Sequence, residues 1–354
     1  MNCNRAGGSC RNASVKPSAV AFSEPFVPQA DPGKPMSLED MKLRAKDSGF
    51  SDGDSGAAEF ILRRVSYQHL SEYFPLFESE ECSCSKSFKN LNRIMVLDRK
   101  FQSILMEYIG LFEMQMRSRY SNEMSLRYGA FAHRNRKLFK NGDYFNSFIR
   151  EYSKLVSRCN QRNGSRQKRD IERYGDMPIW EAVEEMPIGM VSRLFSNTKS
   201  PKVKDAVAES FGEDREHLES WLGTLTFSRN RCAHFGQFLG TRLPVMPKKM
   251  SFVDADNSQP FYVALLIMRL MRTNWHYGDL SLLPSVTMAM EINHLFNSFK
   301  TLLPCAGVPA EWSELIANPD VSGIGISINY GPPQSEEDSI PYDARTTKLK
   351  LKRT

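Results

Sequence analysis

Arginine, asparagine and histidine fall within six positions at Arg229, Asn230 and His234, inside the run Phe227 Ser228 Arg229 Asn230 Arg231 Cys232 Ala233 His234 Phe235 Gly236. These residue types suit a phosphodiester. An imidazole takes or gives a proton near neutral pH, a guanidinium braces anionic phosphoryl oxygens through its planar fork, and a carboxamide orients either group. On a helix, Asn230 and His234 share a face one turn apart, whereas Arg229 lies about 140° round from His234. One helix therefore cannot turn both groups squarely onto a single phosphate. Two copies related by a two-fold axis can, because such a contact sets each residue of one copy against the matching surface of the other. The plainer alternative is that His234 only offsets the negative end of a helix dipole while Arg229 pairs with a surface acid. The six histidines are His69, His133, His217, His234, His276 and His294, of which His234 closes this motif.

The elements that must hold this motif read as helices, and no strand pattern of any length appears; the fold class expected is all-α. The helix carrying the motif runs from Arg215 to His234, with Leu218, Trp221, Leu222 and Leu225 facing inward and Gly236 as the left-handed stop. The longest helix spans about 91–127, where Ile94, Leu97, Phe101, Ile104, Tyr108, Leu111 and Phe112 alternate spacings of three and four before Tyr128 and Gly129 end it. It carries Glu113 and Arg117 at i, i+4, by default a surface salt bridge. Earlier, Ser37 caps a short helix to Asp47, and a second helix runs from about Ser55 to Pro75 with Phe60, Ile61, Val65, Tyr67, Leu70 and Phe74 on its apolar side. Later helices are expected at 144–159, from Ile179 after Pro178, through Met190 to Phe195, at 202–211, from Val263 to about Trp275–Gly278, and at 286–303.

Composition sets the outer limits. Residues 1–35 are rich in Ser, Pro, Gly and Ala and read as a disordered leader, and 321–354, ending on Lys348, Lys350, Lys352 and Arg353, read as a disordered basic-ended tail. Between them, 36–320 form one helical domain. The net charge of +6 is unevenly spread: from Arg134 to Arg173 twelve Lys or Arg face four Asp or Glu, a local excess of +8 that leaves the remainder at −2. This basic insertion includes Arg166, Lys168 and Arg169, with Tyr144, Phe145, Tyr152 and Tyr174 among the charges. Mixed charge and aromatics suit single-stranded nucleic acid; a solvated loop is the alternative. Seven scattered cysteines suit a reducing cytosol. Cys82 and Cys84 lack a second ligand pair at zinc spacing, so no metal or other cofactor is expected. The longest apolar run, Phe261 to Met268, is too short to span a bilayer, and 1–21 has no apolar core of a signal peptide; a cytoplasmic protein with no membrane partner is expected.

Four blocks stand in an order more specific than any one of them: Val65 Ser66 Tyr67 Gln68 His69 Leu70 Ser71 Glu72 Tyr73; Leu97 Asp98 Arg99 through Glu113 to Arg117; Pro178 to Glu184 with Ser192 Arg193 Leu194; and Trp221 to Leu225 through Arg229 and Asn230 to His234. Over 35–247 they resemble the Abi family of bacterial abortive-infection proteins, a branch of the HEPN superfamily. The resemblance implies a HEPN-like helical bundle and metal-independent endoribonuclease chemistry in a homodimer. It casts Arg229, Asn230 and His234 as catalytic and Glu113 and Arg117 as a buried supporting pair. The partners it implies are RNA, a second copy, and a restraining antitoxin protein or RNA. Where many relatives carry a second histidine and then a Leu-Trp-Asn-Arg run, this chain has Phe235, and Arg242 stands for the later arginine one residue out of register; Arg166, Lys168, Arg169 and Arg242 are the expected RNA contacts. The alternative class is a non-catalytic RNA-binding or protein-interaction module in phage defence that uses the same basic surface.

Overall fold

Along the chain the helices are α1 Leu38–Asp47, α2 Gly56–Leu62, α3 Tyr67–Ser71, α4 Phe88–Tyr128, α5 Gly142–Asn160, α6 Arg166–Tyr174, α7 Ile179–Glu185, α8 Ile188–Asn197, α9 Pro201–Glu209, α10 Arg215–Ala233, α11 Phe261–Met271, α12 Pro284–Ser298, α13 Trp312–Ala317 and α14 Pro319–Ser322. This is a computed structural model that describes residues 35–272 and 283–323. The all-α expectation holds: among the described residues the only β pairing is an isolated bridge between Phe139 and Thr198. The described residues from Leu38 onward form one compact unit. The leader, most of the basic-ended tail and the expected helix end at Trp275–Gly278 lie outside the described residues.

The axis is α4, 41 residues and about 60 Å long. It starts at Phe88, three residues before the expected start, because the Ser87 hydroxyl accepts the Asn90 N–H at 3.2 Å and both Asp52 oxygens accept the Phe88 N–H at 3.0 Å. It ends where Gly129, at φ 87°, donates its N–H to the Ser125 carbonyl. Helices α2, α7, α9, α10, α11 and α12 all pack on it. That surround explains why Leu97, Phe101, Leu105, Tyr108, Phe112, Met116 and Tyr120 are all buried.

Three expectations are corrected. The single helix read from Ser55 to Pro75 is broken after Leu62, and Ser66 caps a new one by accepting the His69 N–H at 3.3 Å. Phe60, assigned to its apolar side, is 58% exposed and lies under the Arg64 guanidinium. In the basic insertion, α5 turns Phe145, Phe148, Tyr152, Leu155 and Cys159 into the core, so Phe145 and Tyr152 cannot serve as stacking platforms; Tyr174 stays exposed. Their three- and four-residue spacing is that of a helix face, which burial claims first. Finally, the cysteines read as reduced thiols include a disulfide, Cys82 to Cys305, with Cα atoms 4.4 Å apart. The tertiary fold brings together two positions 223 residues apart, a proximity that spacing does not encode.

After α13 the chain continues into α14, where Val321 and Ser322 are buried and the Ser285 hydroxyl donates to the Ser322 carbonyl at 2.6 Å. Among the described residues no helix is long and apolar enough to cross a membrane.

One buried polar group makes stability depend on pH. His133 is fully buried, its Nε2 3.1 Å from the Tyr152 hydroxyl, which donates to Asp176 at 2.7 Å; Arg134 pairs with the other Asp176 oxygen. Burial pushes the imidazole pKa down from 6.5 to about 4, against the pull of Asp176. Between those values the unfolded chain binds the extra proton, so stability is full above about pH 6.5 and declines as pH falls towards 4. The loss from this site is on the order of 3 kcal/mol. Urea unfolding across that range should show the decline, and His133→Phe should flatten it.

Candidate functional site

Helix α10 begins where the Asp214 carboxylate accepts the Glu216 and His217 N–H groups, and its inner face of Leu218, Trp221, Leu222, Leu225, Ser228 and Cys232 is buried. Packed against α4 and α8, it is fixed in rotation, and this brings Arg229 to α4. Arg229 Nε donates to Glu113 Oε1 at 3.2 Å. Arg117 donates to the other oxygen of Glu113 at 3.3 Å and to the Met186 carbonyl, in the turn between α7 and α8, at 3.2 Å. The Glu113 side chain is only 8% exposed. The i, i+4 pair is therefore not a surface salt bridge: the carboxylate is shared between two guanidinium groups, one from its own helix and one from the motif. A carboxylate so enclosed restrains Arg229 through Nε, and among the described residues its terminal N–H groups have no partner.

Beside Arg229 and Asn230 lies a cleft of about 450 Å³, walled by Gly223 and Thr226 of α10, by Gly189, Ser192 and Arg193 of α8, and by Glu151 of α5. Gly189 lets the two helices approach, since a Cβ there would stand 3.2 Å from the Thr226 methyl. Arg193 reaches across to Glu151 at 3.2 Å. Ser192 and Arg193 belong to a block that carries the resemblance, yet composition and spacing suggested no role for either.

His234 stands elsewhere. It caps α10, giving its backbone N–H to the Asn230 carbonyl at 3.0 Å; its imidazole is exposed, bonded to no described residue, and does not line the cleft. One chain thus assembles Glu113, Arg117, Arg229 and Asn230 but leaves His234 at the helix end. Cys232, inside the motif, is buried and its thiol is pushed up to about 12, so it is no nucleophile at neutral pH.

The turn after His234 corrects another expectation. The left-handed residue is Phe235, at φ 58°, and not Gly236. Phe235 donates its N–H to the Cys232 carbonyl and Gly236 donates to the Arg231 carbonyl, the paired bonds of a Schellman stop. At Gly236 a Cβ would lie 2.5 Å from Arg231 Nε, so a larger residue there would require the Arg231 side chain to shift. A phenylalanine in this conformation costs about 1–2 kcal/mol, and its ring is 64% exposed.

Asp98 of α4 anchors the segment that follows. It accepts the Phe238 and Leu239 N–H groups at 3.0 and 2.8 Å, the Tyr73 hydroxyl at 2.8 Å and the Gln102 amide at 2.9 Å. Burial raises its pKa above the usual carboxylate value, opposed by these four donors. Above this anchor, Arg99 lies 4.8 Å from the Phe235 ring centroid and hydrogen-bonds His69 Nε2 at 3.0 Å; Glu72 sits 3.8 Å from His69 and 3.7 Å from Arg231. Sequence reasoning missed this group because its members come from α3 and its C-cap, from α4, and from α10 and the turn after it. The signal was present in the first two blocks, which meet here.

The expected RNA contacts are each tied locally. Arg166 pairs with Glu181 at 2.7 Å, Lys168 donates to Asn163, Arg169 donates to the Gly164 carbonyl, and Arg242 donates to Ser258 at 2.8 Å near Asp256. None of the four lines the cleft.

A family profile described as Abi-like protein matches residues 60–239. That span starts at Phe60, before the His69 block, and ends at Leu239, the last residue held by Asp98. No curated protein and no solved structure matches the chain.

Proposed function

Because this chain belongs to the Abi-like protein family, a membership that implies abortive-infection defence against phage, we propose that it is a metal-independent endoribonuclease of HEPN type, active as a homodimer. The observation that supports this most is the grip of buried Glu113 on Arg229: a guanidinium on a cleft wall is held through Nε while its terminal N–H groups have no partner among the described residues, which leaves them for a phosphoryl group.

RNA lies along the cleft with a phosphate against Arg229. Asn230 donates its amide to a phosphoryl oxygen. His234 of the second copy takes the 2′-OH proton as O2′ attacks phosphorus, then returns it to O5′ as the P–O5′ bond breaks. Atoms and charge balance with one imidazole, and the products are a 2′,3′-cyclic phosphate and a 5′-OH. The negative charge that builds on the phosphoryl oxygens falls on Arg229.

Complementation tests both the chemistry and the shared site. Arg229→Ala and His234→Ala proteins should each fail to cleave single-stranded RNA in EDTA. When they are co-expressed, half the dimers are mixed and one of two sites in each has both residues intact, so about a quarter of wild-type activity should return. Failure of the wild-type protein to cleave would overturn the ribonuclease reading. Cleavage by wild type with no recovery in the mixture would place the whole site in one chain.

A further inference from the structure

We infer that Phe235, backed by Arg99, is a stacking platform for one unpaired RNA base beside the scissile phosphate. The substrate class rests on the ribonuclease reading; the platform itself rests on geometry.

Stability alone does not account for Phe235. A Schellman stop is best served by glycine or asparagine at the left-handed position, yet here that position, at φ 58°, carries a large aromatic that is 64% exposed. A strained backbone that presents an apolar ring to solvent gains nothing from burial and points to a use outside the fold.

The surroundings suit a base. The Arg99 guanidinium lies over the ring at 4.8 Å and is itself held by His69 at 3.0 Å, so the ring is backed by a delocalised cation while most of its surface stays open. An aromatic ring beside an arginine is the pairing on which bases of single-stranded nucleic acid stack. The backbone that carries the ring is held in place: Gln102 donates to the Gly236 carbonyl at 3.0 Å while Asp98 holds Phe238 and Leu239, which lowers the ordering cost of binding. Its chain neighbour is His234, which puts a stacked base and its ribose next to the proton-transferring group. A base in a duplex cannot present its face, so the platform selects unpaired RNA; because every base has a π-face, it discriminates weakly among sequences.

The test uses the full chain and single-stranded 2′-O-methyl oligonucleotides, which lack the attacking hydroxyl and cannot be cut. One 2-aminopurine is moved through each position in turn, and its quenching reports stacking. At one position wild type should quench strongly. Phe235→Ala should abolish that quenching and weaken binding about tenfold, and Phe235→Trp should preserve both. An abasic residue at the same position should weaken wild type about tenfold and leave Phe235→Ala unchanged. Phe235→Gly should bind as weakly as Phe235→Ala while its thermal midpoint stays at or above that of wild type. Equal binding by wild type and Phe235→Ala, insensitivity of wild type to the abasic residue, or a lowered midpoint for Phe235→Gly would overturn the inference. Ring-dependent quenching by a protein that never cleaves RNA would keep the platform and defeat the ribonuclease reading; absence of any oligonucleotide binding would defeat both.

Discussion

On the proposed ribonuclease reading, His234→Ala should cut RNA cleavage steeply while leaving the helical fold intact, the largest effect expected on activity. Its imidazole is exposed and bonded to no described residue, so truncation removes no packing and breaks no buried network. The rate should fall by about 10²–10⁴-fold, the range for loss of a general acid or base. Arg229→Ala should cost about 10²–10³-fold by removing the charge that meets the phosphorane, though it acts through a different route. It frees Oε1 of Glu113 while Arg117 keeps Oε2, so a modest loss of stability should accompany it. Single-turnover cleavage in chelator, read beside far-ultraviolet circular dichroism, separates the two effects. Full activity in the His234 variant would remove this histidine from the mechanism.

Asp98→Ala produces the largest expected loss of stability. It takes the acceptor from two backbone N–H groups, at Phe238 and Leu239, and from Tyr73 and Gln102, all around a side chain that is 1% exposed. Each buried donor left unpaired costs about 1–3 kcal/mol, so the total exceeds about 4 kcal/mol. Burial disfavours the charged carboxylate, and its pKa is raised accordingly. That desolvation cost offsets part of the benefit of the network but does not supply the missing acceptor. Asp98→Asn keeps one carbonyl oxygen and should lose less. Urea unfolding of the two variants should rank them in that order. A loss below about 1 kcal/mol for Asp98→Ala would show that the 236–239 segment is held by other contacts.

The two variants probe opposite ends of what could be read without coordinates. The run from Arg229 to His234 is legible because its residue types are chemically specific and sit within two helical turns, where spacing fixes relative direction. The same local rule gave the all-α class and most helix positions: α4 and α10 were expected within a few residues because their apolar spacing repeats over many turns. Caps were less visible. Ser66 splits one expected helix in two because a single hydroxyl competes locally with an apolar pattern that runs through it.

By itself, then, the sequence determined the long helices, most of their inward faces, the motif and its family, all consequences of periodicity and of neighbours along the chain. Only the tertiary structure decided that Glu113 joins Arg117 to Arg229 across 116 positions, that Asp98 anchors the turn after His234 from 140 positions away, and that Phe235 adopts the left-handed stop under Arg99. Hydrogen bonds and ring contacts of that reach depend on how α4, α8 and α10 are rotated and packed against one another. Packing is set by the whole core, whereas side-chain type and spacing act only over a few turns.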